Sequence, residues 1–302
     1  MIVLCPTREL ARQVQEEIEQ IAKPLGLFSI VLHGGVSYDP QARDLRNGVD
    51  IVVGTPGRVI DHIERQNLNL SECHISVLDE ADEMLNMGFS EDVERILDGI
   101  GSSNQDKAQC LLFSATTPPW VKEIGRQYQK DVLSIDATAA EGSGVRTATT
   151  VRHLAVQVPP GDGRKAILED IIAVNICKDE DNEVGKALDS EDEFVNTAAE
   201  AAREKKKKGT AISQKIFGKT IVFTQTKSEA DEIVSGGVFK SLTAAALHGD
   251  VGQKQRDATL SAFRQGMFNV LVATDVAARG IDIQDVDLVI QLNPPRDPGK
   301  FV

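Results

Sequence analysis

Residues 75–82, "ISVLDEAD", decide the fold. A short, uncharged run ends abruptly at two adjacent carboxylates, Asp79 and Glu80. So short a run suits a strand covered on both faces, with the acids standing at its carboxyl end. Ligands of open parallel sheets bind beyond the carboxyl ends of the strands, which leaves two readings of the pair. The acids can hold a hydrated magnesium ion and orient a water for attack on a γ-phosphate. Equally, they can be acids at a helix N-terminus, each worth about 0.3–1 kcal/mol against the macrodipole.

Outward from this stretch the same unit repeats. Residues 2–4 are apolar and lead into "PTREL", after which Leu10, Val14, Ile18, Ile21 and Leu25 recur at helical spacing, closed by Pro24 and Gly26. "FSIVLHGG", "DIVVGTPGR" and "CLLFSAT" read as further strands, the second with a helix opening at Pro56. Residues 137–150, small and polar with two glycines, read as a linker. The alternation then resumes with "VRHLAVQV", "GRKAILEDIIAV", "KTIVFTQTK", "LTAAALHGD", "FNVLVATDVAARG" and "VDLVIQLN". The pattern predicts two α/β domains in tandem, 1–136 and 151–302, each a parallel sheet flanked by helices. Residues 178–216 interrupt the second with eight acidic residues between Asp179 and Glu193, followed by Lys205 to Lys208, and read as an insertion with little to bury.

The composition bounds the function. A length of 302 residues suits two cores, an apolar share of 41 % is that of a soluble protein, and no window has the apolar length of a membrane span. The first residues carry no secretory signal. The four cysteines are scattered, without metal-ligand spacing, and read as buried thiols. A formal charge of -13 excludes coating of nucleic acid by bulk electrostatics, so any such contact is local. None of the five histidines shows triad or ligand spacing.

Other polar clusters follow strands. In "GTPGR", backbone amides near a helix start and Arg58 suit a phosphate, or form a helix start with proline in its first turn. Gly34 and Gly35 allow close backbone approach, or a turn. Ser114 and Thr116 of "FSAT" can couple loops, or cap the next helix.

Taken in order, "PTRELA", "GG", "TPGR", "DEAD", "SAT", "IVFTQT", "HGDVGQKQR" and "ATDVAARGIDI" resemble the DEAD-box family of ATP-dependent RNA helicases over nearly the whole chain. "VDIVVGTPGRVIDHIERQNL", "DEADEMLNMGF" and "LHGDVGQKQRDATLSAFRQG" look most like its nucleolar Gu-type members and their chloroplast relatives. The resemblance implies two RecA-like domains that close around ATP and single-stranded RNA. Asp79 and Glu80 would then serve magnesium and the attacking water, with Asp82 coupling the domains and Ser114 and Thr116 linking hydrolysis to strand separation. Pro6, Thr7, Arg8, Gly34, Gly35, Thr55, Pro56, Gly57 and Arg58 would grip the RNA backbone from the first domain. Gln253, Arg256, Thr274 and Asp275 would do so from the second, where Arg279, Gly280 and Asp282 would line the ATP site. Such contacts go to phosphate and sugar and carry little sequence preference. The implied protein is a monomer that acts away from membranes, on ribosome-assembly particles, in the nucleolus, nucleus or plastid stroma.

The chain departs from the family pattern at both ends. No G-x-x-x-x-G-K-[ST] occurs in the 302 residues, and "NPPRDPGKFV" stops short of the family's arginine-rich last motif. The resemblance thus implies two RecA-like domains with the first and last elements missing, an exposed apolar groove in the first sheet, and no ATP hydrolysis by these residues alone. The alternative is a naturally short, non-catalytic RNA-binding or scaffold protein.

Overall fold

The computed structural model describes residues 1–104, 108–136, 151–158, 163–176, 218–274, 277, 281 and 283–293. The expected linker 137–150 and insertion 178–216 lie outside them, as do Asp275, Arg279, Gly280 and Asp282. The chain divides into two compact units, and the described parts of the first lie within 1–136, with Ile281 added.

The first unit is built on one five-stranded sheet: β1 (Ile2–Leu4), β2 (Ser29–Leu32), β3 (Ile51–Gly54), β4 (Ile75–Leu78) and β5 (Gln109–Leu112). They lie in the order β2-β3-β1-β4-β5, and every pairing is parallel. Parallel neighbours need crossovers, supplied by α1 (Arg8–Ala22), α2 (Tyr38–Arg46), α3 (Pro56–Glu64), α4 (Ala81–Asn86) and α5 (Ser90–Asn104), while α6 (Pro119–Tyr128) follows β5. Alternate side chains of β1 separate the core into two layers. Ile2 and Leu4 join Val59, Met84, Ile96 and Ile124 on one face, while Val3 and Cys5 join Ala11 and Ala22 of α1 on the other.

α1 starts where the sequence places it. The Thr7 side chain accepts a 3.2 Å hydrogen bond from the Leu10 amide, satisfying a donor that the first helical turn leaves open. A 3-10 turn at Lys23–Leu25 and a left-handed Gly26 close it. The apolar stripe is shorter than expected, however. Leu10, Val14 and Ile18 pack on the sheet, whereas Ile21 and Leu25 are about 70 % exposed. The cause is length: 15 helical residues span about 22 Å, and a four-residue strand about 13 Å, so the last turn overhangs the sheet.

The second unit repeats the plan with β6 (Lys219–Thr224), β7 (Ala244–Leu247), β8 (Val270–Thr274) and β9 (Val286–Gln291), ordered β7-β8-β6-β9 and again parallel throughout. α7 (Gly163–Ala166), α8 (Leu168–Ile176), α9 (Lys227–Ser235) and α10 (Gln253–Arg264) accompany it. Leu168, Ile172, Ala230 and Ile233 cover Val222, Val270 and Val272 on one face. The expected strand at 151–158 does not form; the segment has no regular secondary structure, and Val151 and Leu154 are exposed. Alternating apolar residues make a strand only where an edge is available to pair, and 151–158 belongs to neither sheet. Among the described residues no helix is long and apolar enough to cross a membrane.

Candidate functional site

All five strands of the first unit point the same way, so their carboxyl ends share one rim. The sheet order then sets which loops are neighbours on that rim. The loops after β2, β3 and β1 lie side by side and carry Gly34 and Gly35, then Thr55 to Arg58, then Pro6 to Arg8. The loops after β4 and β5 are adjacent on the other side and carry Asp79 to Asp82 and Ser114 to Thr116.

The acidic side is tightly cross-linked. The Asp79 amide continues the ladder onto Leu4 O at 2.9 Å, and its Oδ1 accepts from the Glu80 amide at 3.0 Å. Burial raises the Asp79 pKa, opposed by that amide bond. Glu80 adopts φ 50°, ψ 52°, the left-handed region that non-glycine residues enter at a cost of about 1–3 kcal/mol. Asp82 ties the two loops together: its Oδ2 accepts from Thr116 N at 2.9 Å and Thr116 Oγ1 at 2.6 Å, and its amide donates to Ser114 Oγ at 3.2 Å. Ser114 Oγ in turn donates to Thr116 O at 2.6 Å. Among the described residues no group of three metal-ligating side chains exists. A half-buried carboxylate beside a second one suits magnesium, which binds one or two carboxylates and takes its other ligands from water and phosphate.

The other side is basic. The Arg8 guanidinium lies against Gly34, where an added Cβ would stand 3.4 Å from Nη2, and Gly35 has φ 79°. Thr7, as the cap of α1, and Pro6 are buried. Thr55 and Pro56 are buried at the start of α3, where proline in the first turn lacks only an amide that would have no helical partner. Arg58 turns inward: its side chain is 12 % exposed, donating to Gln41 Oε1 at 3.1 Å and, in weaker contacts, to Val36 O at 3.4 Å, with Asp61 at 3.8 Å. His33 is buried at the centre of this side. Burial lowers its pKa first, and Arg12, Arg8 and Arg58 lower it further, against the bond to Gly34 O. The chain as a whole is acidic, yet this part of the rim is positive, because net charge and local charge are separate quantities.

Sequence reasoning missed Arg12, Gln41 and His62. The ring of His62 stacks on Tyr38 with centroids 4.3 Å apart, and the Arg65 guanidinium lies 4.5 Å from the Tyr38 centroid. A signal was present: Tyr38 and Gln41, and Arg58, His62 and Arg65, repeat at helical spacing, placing polar groups on one face of each helix.

In the second unit Gln253 and Arg256 sit in the first turn of α10, and Thr274 ends β8. Gln253 Nε2 donates to Asp257 Oδ1 at 3.2 Å. Arg256 is buried and donates to Ala277 O at 3.0 Å, fastening α10 to that residue beyond β8. His248 is buried with Nε2 2.9 Å from Asp231 Oδ1.

Residues 1–124 match the DEAD/DEAH box helicase family, and residues 204–302 match the helicase conserved C-terminal domain. The chain is 43 % identical over 302 residues to DEAD-box ATP-dependent RNA helicase 3B, chloroplastic, of Zea mays, covering all of this chain and 34 % of that protein. It is 38 % identical over 304 residues to ATP-dependent RNA helicase DDX50 of Homo sapiens, covering 35 % of it. The chain thus spans about a third of the length of these relatives. Among solved structures, S. cerevisiae Dbp5 bound to RNA and ADP BeF3 superposes with a TM-score of 0.69 at 23 % identity, over 98 % of this chain and 63 % of that one. That likeness shows the shared fold: two parallel sheets flanked by helices.

Proposed function

The chain belongs to the DEAD-box family of helicases, and from that premise we propose that it is part of an ATP-dependent RNA helicase that separates short duplexes or remodels ribonucleoprotein. The observation that carries the reading is the order of strands in the first sheet. That order puts the positive loops side by side on one half of the rim and the magnesium-suited acids on the other. In this reading one half of the rim would take the RNA backbone and the other the nucleotide, and Asp82 links the acidic loop to the Ser114 loop beside it. Dbp5, which shares the fold, was solved with RNA and a nucleotide complex.

When bound, ATP with magnesium supplies the phosphoryl transfer that drives the cycle. Asp79 and Glu80 would hold the metal, largely through water, and Glu80 would orient the attacking water. The Ser114, Thr116 and Asp82 network would pass the state of that site to the neighbouring loops. Gly34, Gly35, Thr55, Gly57, Arg8 and Arg58 would take RNA from the first unit and Gln253, Arg256, Thr274 and Asp275 from the second, through phosphate and sugar. Arg279, Gly280 and Asp282 would complete the nucleotide site. The 302 residues contain no G-x-x-x-x-G-K-[ST], and a phosphate-cradling loop and its lysine are central to the chemistry, so this polypeptide by itself is expected to bind RNA without turning over ATP.

The test uses the complete gene product beside the 302-residue chain. We expect RNA-stimulated ATP hydrolysis and duplex separation from the former only, both lost in Glu80→Gln while RNA binding persists. Turnover by the isolated 302 residues, or an active Glu80→Gln protein, refutes the assignment.

A further inference from the structure

Gln41 closes a ring of hydrogen bonds that no expectation from sequence included. It lies on α2, 7 % exposed, and its Nε2 donates to His33 O at 3.2 Å. Its Oε1 faces Arg58 Nη1 at 3.1 Å and His62 Nε2 at 3.2 Å. Arginine has no acceptor, so Arg58 fixes which amide atom is the oxygen. That oxygen in turn requires His62 to carry its proton on Nε2, leaving a bare Nδ1. His62 Nδ1 is buried with no hydrogen-bond partner, which suits the unprotonated nitrogen of that tautomer. The Gly34–Gly35 turn is thereby held at both ends: Gln41 holds His33 O before it, and Arg58 reaches Val36 O after it. The bond between Gln41 and Arg58 joins the two anchors.

We propose that Gln41 is a positioning residue for RNA binding, which never meets RNA but holds the Gly34–Gly35 turn and the Arg58 guanidinium in the arrangement that receives a phosphate. The inference rests on the RNA-backbone reading of this half of the rim. Gln41→Met keeps length and volume and removes all three bonds, while Gln41→Glu keeps the acceptor for Arg58 and His62 and loses only the bond to His33 O.

The experiment measures the Kd of the chain for a fluorescent single-stranded oligouridylate over a series of salt concentrations, well below Tm, together with Tm and the imidazole nitrogen signals of His62. We expect Gln41→Met to weaken binding about tenfold, the scale of one lost buried hydrogen bond to a charged group. The slope of log Kd against log salt should stay that of the parent, because no phosphate contact is removed, whereas Arg58→Met lowers it by about 0.7 if that arginine meets a phosphate. Gln41→Glu should fall between parent and Gln41→Met, and only Gln41→Met should lose the Nε2-protonated signal of His62. A purely structural Gln41 would lower Tm and leave Kd unchanged, and that result overturns the proposal. Should Gln41→Met fail to fold, parent-like affinity in Gln41→Glu overturns it equally. No RNA binding by the parent chain would instead refute the reading of the rim.

Discussion

His33 and His62 are buried among arginines, and both have pKa values held below the ordinary imidazole value of about 6.5. For His62 burial is the main cause, with Arg58 and Arg65 adding to it against Asp61. The unfolded chain therefore takes up protons in a pH range where the folded unit refuses them. Stability is complete above the ordinary value and declines as pH falls below it. Thermal melts between pH 7.5 and 5.5 should show the Tm of the first unit falling with pH, and His33→Asn/His62→Asn should flatten the slope; a pH-independent Tm in the parent contradicts this. At this scale the sequence placed the acids and glycines at strand ends, where the structure has them, because that pattern is local. It offered Gln41 and His62 only as polar positions at helical spacing, because their partners come from α2 and α3 and the loop after β2, up to 24 residues away.

Thr7, which the resemblance assigns to RNA, also has a role within its own element. Its side chain caps α1, so Thr7→Ala should cost about 1 kcal/mol of stability, and Thr7→Ser should restore it, in denaturant unfolding. An unchanged stability in Thr7→Ala would mean that the cap bond adds nothing to the net stability of the first unit. The strands of both sheets were legible because short, continuously apolar runs are the mark of strands covered on two faces. Two expectations failed for want of non-local information. Whether 151–158 pairs depends on an available sheet edge, and whether Ile21 and Leu25 are buried depends on where the sheet ends. β5 is itself an edge, with Phe113, Leu133 and Ile135 exposed in the residues beyond it.

Each unit of the molecule has its own core, centred on Ile2, Leu78 and Ile96 in the first and on Ile172, Val222 and Val270 in the second. Units with separate cores unfold separately unless a large interface joins them. Calorimetry should therefore resolve two transitions. Ile96→Ala should lower one and Ile172→Ala the other, each by about 2–5 kcal/mol for a buried large-to-small change. A single transition shifted by both substitutions would show that the two cores melt as one. The tandem α/β plan was readable because alternation of strands and helices is a long-range pattern repeated many times over.

The buried thiol of Cys5 bears on a different kind of question. Burial, with Asp79 and Glu80 nearby, pushes its pKa far up, and burial also raises that of Cys110; Cys73 is buried as well. Maleimide dyes attack the thiolate, so Cys5 and Cys110 are poor targets at neutral pH and Cys73 is shielded. With Cys177 changed to serine, one new surface cysteine in each unit would accept a donor and an acceptor fluorophore. Energy transfer would then report the separation of the two units, molecule by molecule, with and without added RNA.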